Sequence, residues 1–445
     1  MKKFAFCMLI LSTFTFAAFA ADKDELPANF LSTKHPMHTN HAGGLHGKGN
    51  IPTPHGFPAG VDTLINFTGH FDHAGVLPTA FDNNGISAVT PNHIWEYSMV
   101  GNPPEKGGIT AINAPIIPVT IDMRDANGNP RFVVNQFHQT VRLISKPDPF
   151  LQDFLNGPVY SNADFSSSPV PTQLNDAEQR ATFGNKARSD WHTLLVPQVV
   201  TPRTMVLNQG TYEFALNDDG TCCLFVLVSD PVFSNKLAPP AAADNTTVLG
   251  AAELAGDITT KDIATAFFPN VYLFENNDPN QCCVLGFHSI DGEAGDATNG
   301  NLTKFFVFNY ASWISPGLFN GGFEDVTGHS HEMAEIFNDP FVAFDGIHNI
   351  TPFWNSGSPQ GPQGNQCQDF LEVGDVVEVL PNATFPIAIG NFTYHPQTIA
   401  LLPWFAFEKN SSAIDHAYSY PDETVLPSLS PELTDIPTLD ALGCS

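Results

Sequence analysis

Residues 329–335 read His-Ser-His-Glu-Met-Ala-Glu and are the most informative stretch of the chain. On an α-helix, His331 and Glu335 lie four positions apart on one face, so both can reach the same metal ion. Glu332 is rotated by about 100° from His331, so it can touch a metal-bound water without binding the metal itself. The pattern is the His-Glu-x-x-His signature of zinc peptidases with its last ligand replaced by a carboxylate. It predicts a helix over residues 325–338 that carries a metal centre.

A third ligand must come from elsewhere in the chain, because catalytic zinc takes three protein ligands and a water. Residues 371–375 read Leu-Glu-Val-Gly-Asp and offer Glu372 as the first candidate and Asp375 as the second, while Asp339 and His348 rank after them. One histidine and two carboxylates form a harder ligand set than most zinc sites have, so calcium and manganese compete with zinc. The plainer interpretation of Glu372 and Asp375 is a solvated turn.

If zinc binds, the motif predicts the hydrolysis of a peptide or protein substrate. Zinc acidifies its water and polarises the substrate carbonyl, and Glu332 takes the water proton and passes it to the leaving amine. His329 and His288 are candidate donors for the oxyanion, although a structural role is the simpler interpretation of each. An antiparallel edge strand, such as residues 282–288, could align the peptide by strand addition.

The N-terminus predicts export. Residues 1–20 combine a basic start, a short apolar run and an A-x-A cleavage site, which is typical of a secretory signal peptide. We expect a secreted or periplasmic protein without membrane insertion, because no later stretch is apolar for about 18 residues. Removing Lys2 and Lys3 with the signal leaves 16 basic and 46 acidic residues, a formal charge of −30. This charge should repel nucleic acid and anionic membranes, and it also favours solubility.

Six cysteines follow the signal peptide, and an even number in an exported chain indicates disulfides. They are Cys222, Cys223, Cys282, Cys283, Cys367 and Cys444. Adjacent cysteines rarely bond to each other, because the bond strains the peptide between them. We therefore expect cross-links between the two Cys-Cys segments, or from these segments to Cys367. A thiolate metal site is the alternative, and the absence of C-x-x-C spacing disfavours it.

The remaining patterns predict an α+β fold in which a mixed, strand- and loop-rich sheet precedes the motif helix. Residues 21–112 read as a His/Gly/Pro-rich lead segment and N-terminal region, and residues 113–445 read as one domain. Further helices are predicted at residues 172–184 and 259–268, and Pro340 should end the motif helix. Strands are predicted at residues 116–123, 131–134, 194–200, 204–207, 212–216, 222–228, 271–275, 282–288 and 304–310.

Several stretches of the chain resemble an uncharacterised family of exported bacterial proteins. They are SHEMAE (330–335) followed by DP (339–340), LEVGD (371–375) after Cys367, GPVY (157–160), DAEQRA (176–181), WHTLL (191–195) and CCVLGFHS (282–289). A fainter resemblance is to the phosphate-induced (EXORDIUM-like) extracellular proteins of plants, which share a Ser-His-Glu-x-x-Glu segment and a later Glu-x-Gly-Asp. The bacterial family carries an acidic pair just after a Tyr-His segment. Residues 394–399, Tyr-His-Pro-Gln-Thr-Ile, lack that pair, so the resemblance assigns this loop no role.

The resemblance spans roughly residues 116–420 and implies that the predicted domain is an exported zincin-like fold, a mixed sheet with an active-site helix. It carries over no established reaction. Together with the motif, it favours a secreted zinc-dependent peptidase with His331, Glu335 and Glu372 as ligands and Glu332 as the base.

Two other interpretations stay open. The His/Glu face of the motif helix could be a polar face wetted by solvent. The chain could also be a non-catalytic extracellular or cell-surface binding protein that keeps a degenerate zincin scaffold, with a structural ion or none. No methionine follows Met333, so the Met-turn that defines a metzincin is absent.

Overall fold

The fold comes from a computed structural model, which describes the chain in segments. These are residues 22–33, 61–73, 80–81, 87–88, 93–165, 171–342, 344, 354–355, 367–368, 371–378, 380–406, 408 and 410–428. The expected signal peptide and His348 lie outside the described residues. The α-helices are α1 (Asp148–Leu155), α2 (Leu174–Phe183), α3 (Asp230–Leu237), α4 (Val248–Ala255), α5 (Thr327–Asn338) and α6 (Leu402–Phe405).

Strands outnumber helices in the described part of the chain. The first twelve are β1 (Val61–Asp62), β2 (Asn66–His73), β3 (Ala80–Phe81), β4 (Ser87–Ala88), β5 (His93–Val100), β6 (Ile109–Arg124), β7 (Phe132–Val134), β8 (Thr140–Arg142), β9 (Ile144–Ser145), β10 (His192–Val199), β11 (Arg203–Asn208) and β12 (Tyr212–Leu216). The others are β13 (Cys222–Ser229), β14 (Ile263–Pro269), β15 (Val271–Phe274), β16 (Cys282–Val284), β17 (Gly286–Glu293), β18 (Thr303–Trp313), β19 (Trp354–Asn355), β20 (Cys367–Gln368), β21 (Ile387–Ile389), β22 (Phe392–Tyr394), β23 (Ile399–Ala400) and β24 (Ser419–Tyr420).

The central sheet has eight strands and is mostly parallel. Its path runs β1-β18-β14-β6-β10, with β11 and β9 also paired to β6, and β17 paired to β18. Strands β17 and β9 run antiparallel to their partners. The inner strand β14 is buried at every residue, as strands covered on both faces are. This mixed sheet with few helices confirms the α+β class predicted from the sequence.

Helix α5 is the predicted motif helix, and all twelve of its residues are buried. It packs against β17 and β18 of the central sheet, against α2 and against β5. It ends at Asn338, with Asp339 as its C-cap, because Pro340 cannot continue it, as the sequence predicts. The interpretation of a solvent-wetted polar face is therefore wrong, since neighbouring elements cover that face as well.

The helix predicted at residues 259–268 is wrong. Residues 263–269 form β14, which pairs with β18 on one side and β6 on the other. A short, continuous apolar run does not distinguish a buried helix from a strand covered on both faces. Residues 263–269 form a strand because β18 and β6 satisfy the backbone hydrogen bonds on both edges of β14.

The cysteines pair differently from the prediction. The structure joins Cys222 to Cys223 and Cys282 to Cys283, so the expected cross-link between the two Cys-Cys segments is wrong. The sheet order β12-β13-β15-β16 explains why. Strand β15 separates the two segments, and strands two apart lie roughly 9–10 Å from each other, beyond the Cα separation that a disulfide spans. Cys444 and the side chain of Cys367 are outside the described part of the chain.

Most other predicted elements are found close to their predicted positions. Helix α2 lies within the predicted helix at 172–184, and Gly184, with a φ of +48°, is the C-cap that follows its last residue. The predicted strand 282–288 is in fact two strands, because β16 pairs with β15 while β17 pairs with β18. The remaining predicted strands correspond to β6, β7, β10, β11, β12, β13, β15 and β18.

Part of the N-terminal region belongs to the central sheet. Strand β1 lies within residues 21–112 and pairs in parallel with the start of β18, Val61 opposite Thr303. Strands β2 and β5 form an antiparallel pair, and β5 reaches α5. Among the described residues, no helix is long and apolar enough to cross a membrane.

Candidate metal centre

Seven ionisable side chains meet between α5, β17 and the turn after residue 370, and we call them the buried centre. They are His288 from β17, His331, Glu332 and Glu335 from α5, and Glu372, Asp375 and Glu378 from the turn. Each is between 0% and 3% exposed. Burial of five carboxylates is costly unless positive charge compensates them, so the composition of the buried centre favours a bound cation.

His331 is the central residue of the first donor set. Its Nε2 lies 3.0 Å from Glu335 Oε1 and 3.3 Å from Asp375 Oδ1. Ligands at ~2.1 Å from a tetrahedral zinc lie ~3.4 Å from one another, so Glu335 and Asp375 each lie at ligand spacing from His331. The groups at His331 whose donor atoms all lie within 4.8 Å of one another are His331 with Glu332 and Glu335, and His331 with Asp375 and Glu378.

The sequence ranks Glu372 ahead of Asp375 as the third ligand, and the geometry reverses that order for the site at His331. Asp375 is the one that faces His331. Glu372 instead groups with His288 and Glu335, with donor atoms within 4.8 Å of one another. The residues after Glu372 form a tight turn, which sequence spacing alone cannot orient. The Gly374 N–H within this turn donates to Glu335 Oε1 at 3.1 Å.

A loop that the sequence left without a role orients His331. The Nδ1–H of His331 donates to Gln397 Oε1 at 3.2 Å, and Gln397 Nε2 donates to the Gly374 carbonyl at 2.7 Å. The backbone N–H of Gln397 donates to Ser330 Oγ. A metal-ligating histidine typically donates the N–H of its second ring nitrogen to such a partner, and its other ring nitrogen then binds the metal. Sequence reasoning missed Gln397, because no local pattern signals a contact 66 residues away.

Asp339 connects the motif helix to the segment that bears Glu372. Its Oδ1 accepts from the Val342 N–H at 3.0 Å, and its Oδ2 accepts from the Leu371 N–H at 3.2 Å. Asp339 is itself 1% exposed. The residue ranked as a possible ligand therefore anchors the chain just before Glu372.

Glu332 lies beside the first donor set with one oxygen held in place. His288 Nδ1 lies 3.2 Å from Glu332 Oε2, while Glu332 Oε1 has no hydrogen-bond partner among the described residues. Burial raises the pKa of Glu332 to about 7, although His288 and His331 pull it down. A pKa near neutrality suits a general base.

The two histidines and Glu335 shift one another's pKa values. Burial lowers the pKa of His331, but Glu335 and Asp375 outweigh burial and raise that pKa well above its ordinary value. Burial also lowers the pKa of His288, but hydrogen bonds with Glu332 and Glu335 outweigh burial, so the pKa lies well above its ordinary value. Burial raises the pKa of Glu335, but the two histidines bring it down to about 2. The carboxylates thus hold positive charge at both imidazoles.

His329, the other candidate oxyanion donor, packs among aromatic rings. Its ring centroid lies 4.4 Å from that of Phe154 and 5.3 Å from that of Tyr160. Burial lowers its pKa to about 3, so the imidazole is neutral. Among the described residues, no potential metal-binding group includes His329. The structure brings His288 to Glu332 and places His329 in the aromatic packing.

The donor chemistry of the buried centre fits a divalent cation. Histidine nitrogen combined with carboxylate oxygen suits zinc or manganese, and calcium prefers ligands that are all oxygen. Within the described part of the chain, the buried atoms His288 Nε2 and Glu332 Oε1 lack a hydrogen-bond partner, as atoms that face an ion or its water do. Two described clefts, one beside Asp164 and the other beside Lys146, are not lined by these seven residues.

Comparison of the chain with protein-family models, with curated proteins and with solved structures finds no match in any of the three.

Proposed function

We propose that this chain is an exported, metal-dependent peptidase on a zincin-like scaffold, with zinc as the metal. One observation carries the proposal. Glu335 Oε1 and Asp375 Oδ1 converge on His331 Nε2 at 3.0 and 3.3 Å, while Glu332 follows His331 on the same helix. One imidazole and two carboxylates that face it, with a further carboxylate next in the helix, are the donors that metal-assisted hydrolysis needs.

Each side chain then has a defined task. When zinc is bound, it supplies the positive charge that acidifies a water and polarises a carbonyl. His331, Glu335 and Asp375 hold the metal, and Gln397 fixes the orientation of the His331 ring. Glu332 accepts the proton of the water through its unpaired Oε1 and delivers it to the leaving amine. His288 donates to Glu332 Oε2 and so positions the base.

Strand β17 favours a peptide as the substrate. Among the described strands it pairs with β18 alone, so it lies at the edge of the central sheet and runs antiparallel to its neighbour. It also contacts α5 and carries His288. An edge strand beside the metal helix can align an extended peptide by strand addition, although β17 is buried at every residue except Gly292, so a peptide would first have to displace the residues that cover it.

A second candidate function is a non-catalytic extracellular binding protein in which the buried centre holds a structural ion. The observation in its favour is burial: all seven side chains are at most 3% exposed. A peptide would have to reach Glu332 through a covering layer, whereas a structural ion needs no such access. A tightly held ion would then stabilise the fold by mass action, about 4 kcal/mol at a thousandfold excess over its Kd.

Metal analysis joined to a peptide screen tests both functions. We would measure the metal content of the purified mature chain, of His331→Ala and Asp375→Ala, and of His138→Ala as a control for the loss of an exposed histidine. Full zinc content in the wild type and the control, and reduced zinc content in the other two variants, is the expected result. The same preparations are then tested on a peptide library, with Glu332→Gln as the variant that should keep zinc and lose hydrolysis.

The outcomes separate the two candidates. Zinc with hydrolysis that Glu332→Gln abolishes supports the peptidase. Zinc without hydrolysis of any library member, together with a melting temperature that falls when a chelator is added, supports the structural ion. A protein never exposed to chelator that carries no transition metal overturns the peptidase.

A further inference from the structure

Glu335 offers its two carboxylate oxygens to two different histidines. Glu335 Oε1 lies 3.0 Å from His331 Nε2, and Glu335 Oε2 lies 3.5 Å from His288 Nδ1. A carboxylate that faces two imidazoles can bridge two metal ions, which in hydrolases lie about 3.5–4 Å apart. His288 would then bind its ion through Nε2, because its Nδ1 lies on Glu332.

The buried centre contains enough donors for two ligand sets that share Glu335. One consists of His331, Asp375 and Glu335, which the proposed function uses. The other consists of His288, Glu335 and Glu372, whose donor atoms lie within 4.8 Å of one another. Each set has one imidazole and two carboxylates, so each matches the donor chemistry of zinc or manganese.

We propose that the buried centre binds two divalent cations, one at His331 and Asp375 and the other at His288 and Glu372, with Glu335 bridging them. This inference rests on the proposed function and deepens it, because it changes the peptidase from a one-metal to a two-metal enzyme. The second cation lies between β17 and α5, next to the strand that would align the peptide.

An unpartnered atom points independently to the second cation. His288 is 0% exposed, and its Nε2 has no hydrogen-bond partner among the described residues. A buried imidazole nitrogen without a partner carries a desolvation cost that a hydrogen bond or a metal removes.

The charge count favours two cations over one. With neutral imidazoles the seven side chains carry a formal charge of −5, from Glu332, Glu335, Glu372, Asp375 and Glu378. One divalent cation at His331 leaves −3 if His288 is neutral and −2 if it is protonated, and two cations leave −1. Because uncompensated charge in a protein interior costs several kcal/mol per group, the second ion removes a large part of the remaining cost.

Titration of the stripped protein counts the metal ions. The full mature chain is treated with chelator, dialysed and loaded with Zn²⁺ alone or Mn²⁺ alone, and the bound metal is measured by mass spectrometry. The expected content is two ions per wild-type chain and one per chain in His288→Gln and in Glu372→Gln. Glu105→Gln, which removes an exposed carboxylate, is the matched control and should keep two.

A spectroscopic measurement on the Mn²⁺-loaded wild type reports the bridge itself. Two Mn²⁺ ions joined by Glu335 should give an exchange-coupled electron paramagnetic resonance spectrum, and Glu372→Gln should return it to the signal of an isolated ion. This readout also decides the question if His288→Gln fails to fold, because the wild type alone is then sufficient. An uncoupled wild-type spectrum at full loading overturns the bridged pair.

Different results would overturn the second cation and the peptidase. One ion per wild-type chain, retained in Glu372→Gln and lost in Asp375→Ala, overturns the second cation and leaves a one-metal peptidase standing. No bound Zn²⁺ or Mn²⁺ in the wild type overturns both. Two ions that fall to one in Glu372→Gln, with hydrolysis lost in Glu332→Gln, support both.

Discussion

Gly374 lies directly against the imidazole of His331, and a Cβ at position 374 would come 2.6 Å from His331 Nδ1. The glycine also donates its N–H to Glu335 Oε1 and accepts from Gln397 through its carbonyl. Its backbone is outside the left-handed region, so the position needs glycine for the close approach alone. The turn that bears Asp375 can pack onto the motif helix because this residue has no side chain.

The first prediction follows from that contact. Gly374→Ala should displace the His331 ring or the turn, because overpacking at a buried contact costs about 1–3 kcal/mol. We expect at least tenfold weaker zinc binding and a lower melting temperature, measured by competitive chelation and calorimetry. Gly322→Ala is the control, since a Cβ there would meet only the Phe319 carbonyl at 3.6 Å. Unchanged zinc affinity in Gly374→Ala would contradict the contact.

Gly286 gives a second prediction that separates the base from the ligands. A Cβ at position 286 would lie 2.8 Å from Glu332 Cγ and 2.9 Å from Glu332 Oε1. Gly286→Ala should therefore shift the general base while His331 and Asp375 keep the metal. We expect peptide hydrolysis to fall at least tenfold, since general bases contribute about 10²–10⁴, with metal content unchanged. Loss of metal together with activity would show that Gly286 supports the whole centre.

Local periodicity was sufficient to predict the helix and half of the site. His331 and Glu335 share a face because four residues make just over one turn, and Pro340 ends the helix for a local reason. The choice between Glu372 and Asp375 was not predictable. Both belong to one short turn, and its orientation depends on the contact of Gly374 with α5.

Contacts between distant segments decided the features that the sequence did not predict. Gln397 reaches His331 from a separate loop, and no spacing rule signals such a partner. Strand β14 reads equally well as a helix until β6 and β18 are in place. The cysteine pairs depend on β15 lying between the two Cys-Cys segments, which is a property of the sheet order.

A third prediction tests the role of Gln397. Gln397→Leu removes the acceptor for His331 Nδ1–H and the donor to the Gly374 carbonyl. Loss of such an outer partner costs about 10–100-fold in metal affinity, so we expect a fall of that size in competitive chelation. Gln397→Glu keeps the acceptor and should retain more affinity than Gln397→Leu. Gln136→Leu, at an exposed glutamine, should have no effect, and equal affinities in all three variants would exclude the orienting role.

The last prediction concerns an acidic cluster on the sheet, where Glu253 of α4 faces Asp291 and Glu293 of β17. Burial, together with these two charges, raises the pKa of Glu253 to about 10. The pKa of Glu253 is higher in the folded state than in the unfolded state, so protonated Glu253 favours folding. This contribution to the free energy of unfolding is complete below about pH 4.5 and is lost as the pH rises toward 10. Between pH 6 and 8 the free energy of unfolding should fall by up to ~1.4 kcal/mol per pH unit. Glu253→Gln cannot ionise, so urea unfolding should show a smaller decline of stability with pH and a variant more stable than the wild type at pH 8. The control Glu105→Gln should follow the wild type. Parallel pH profiles for Glu253→Gln and the wild type would contradict the raised pKa.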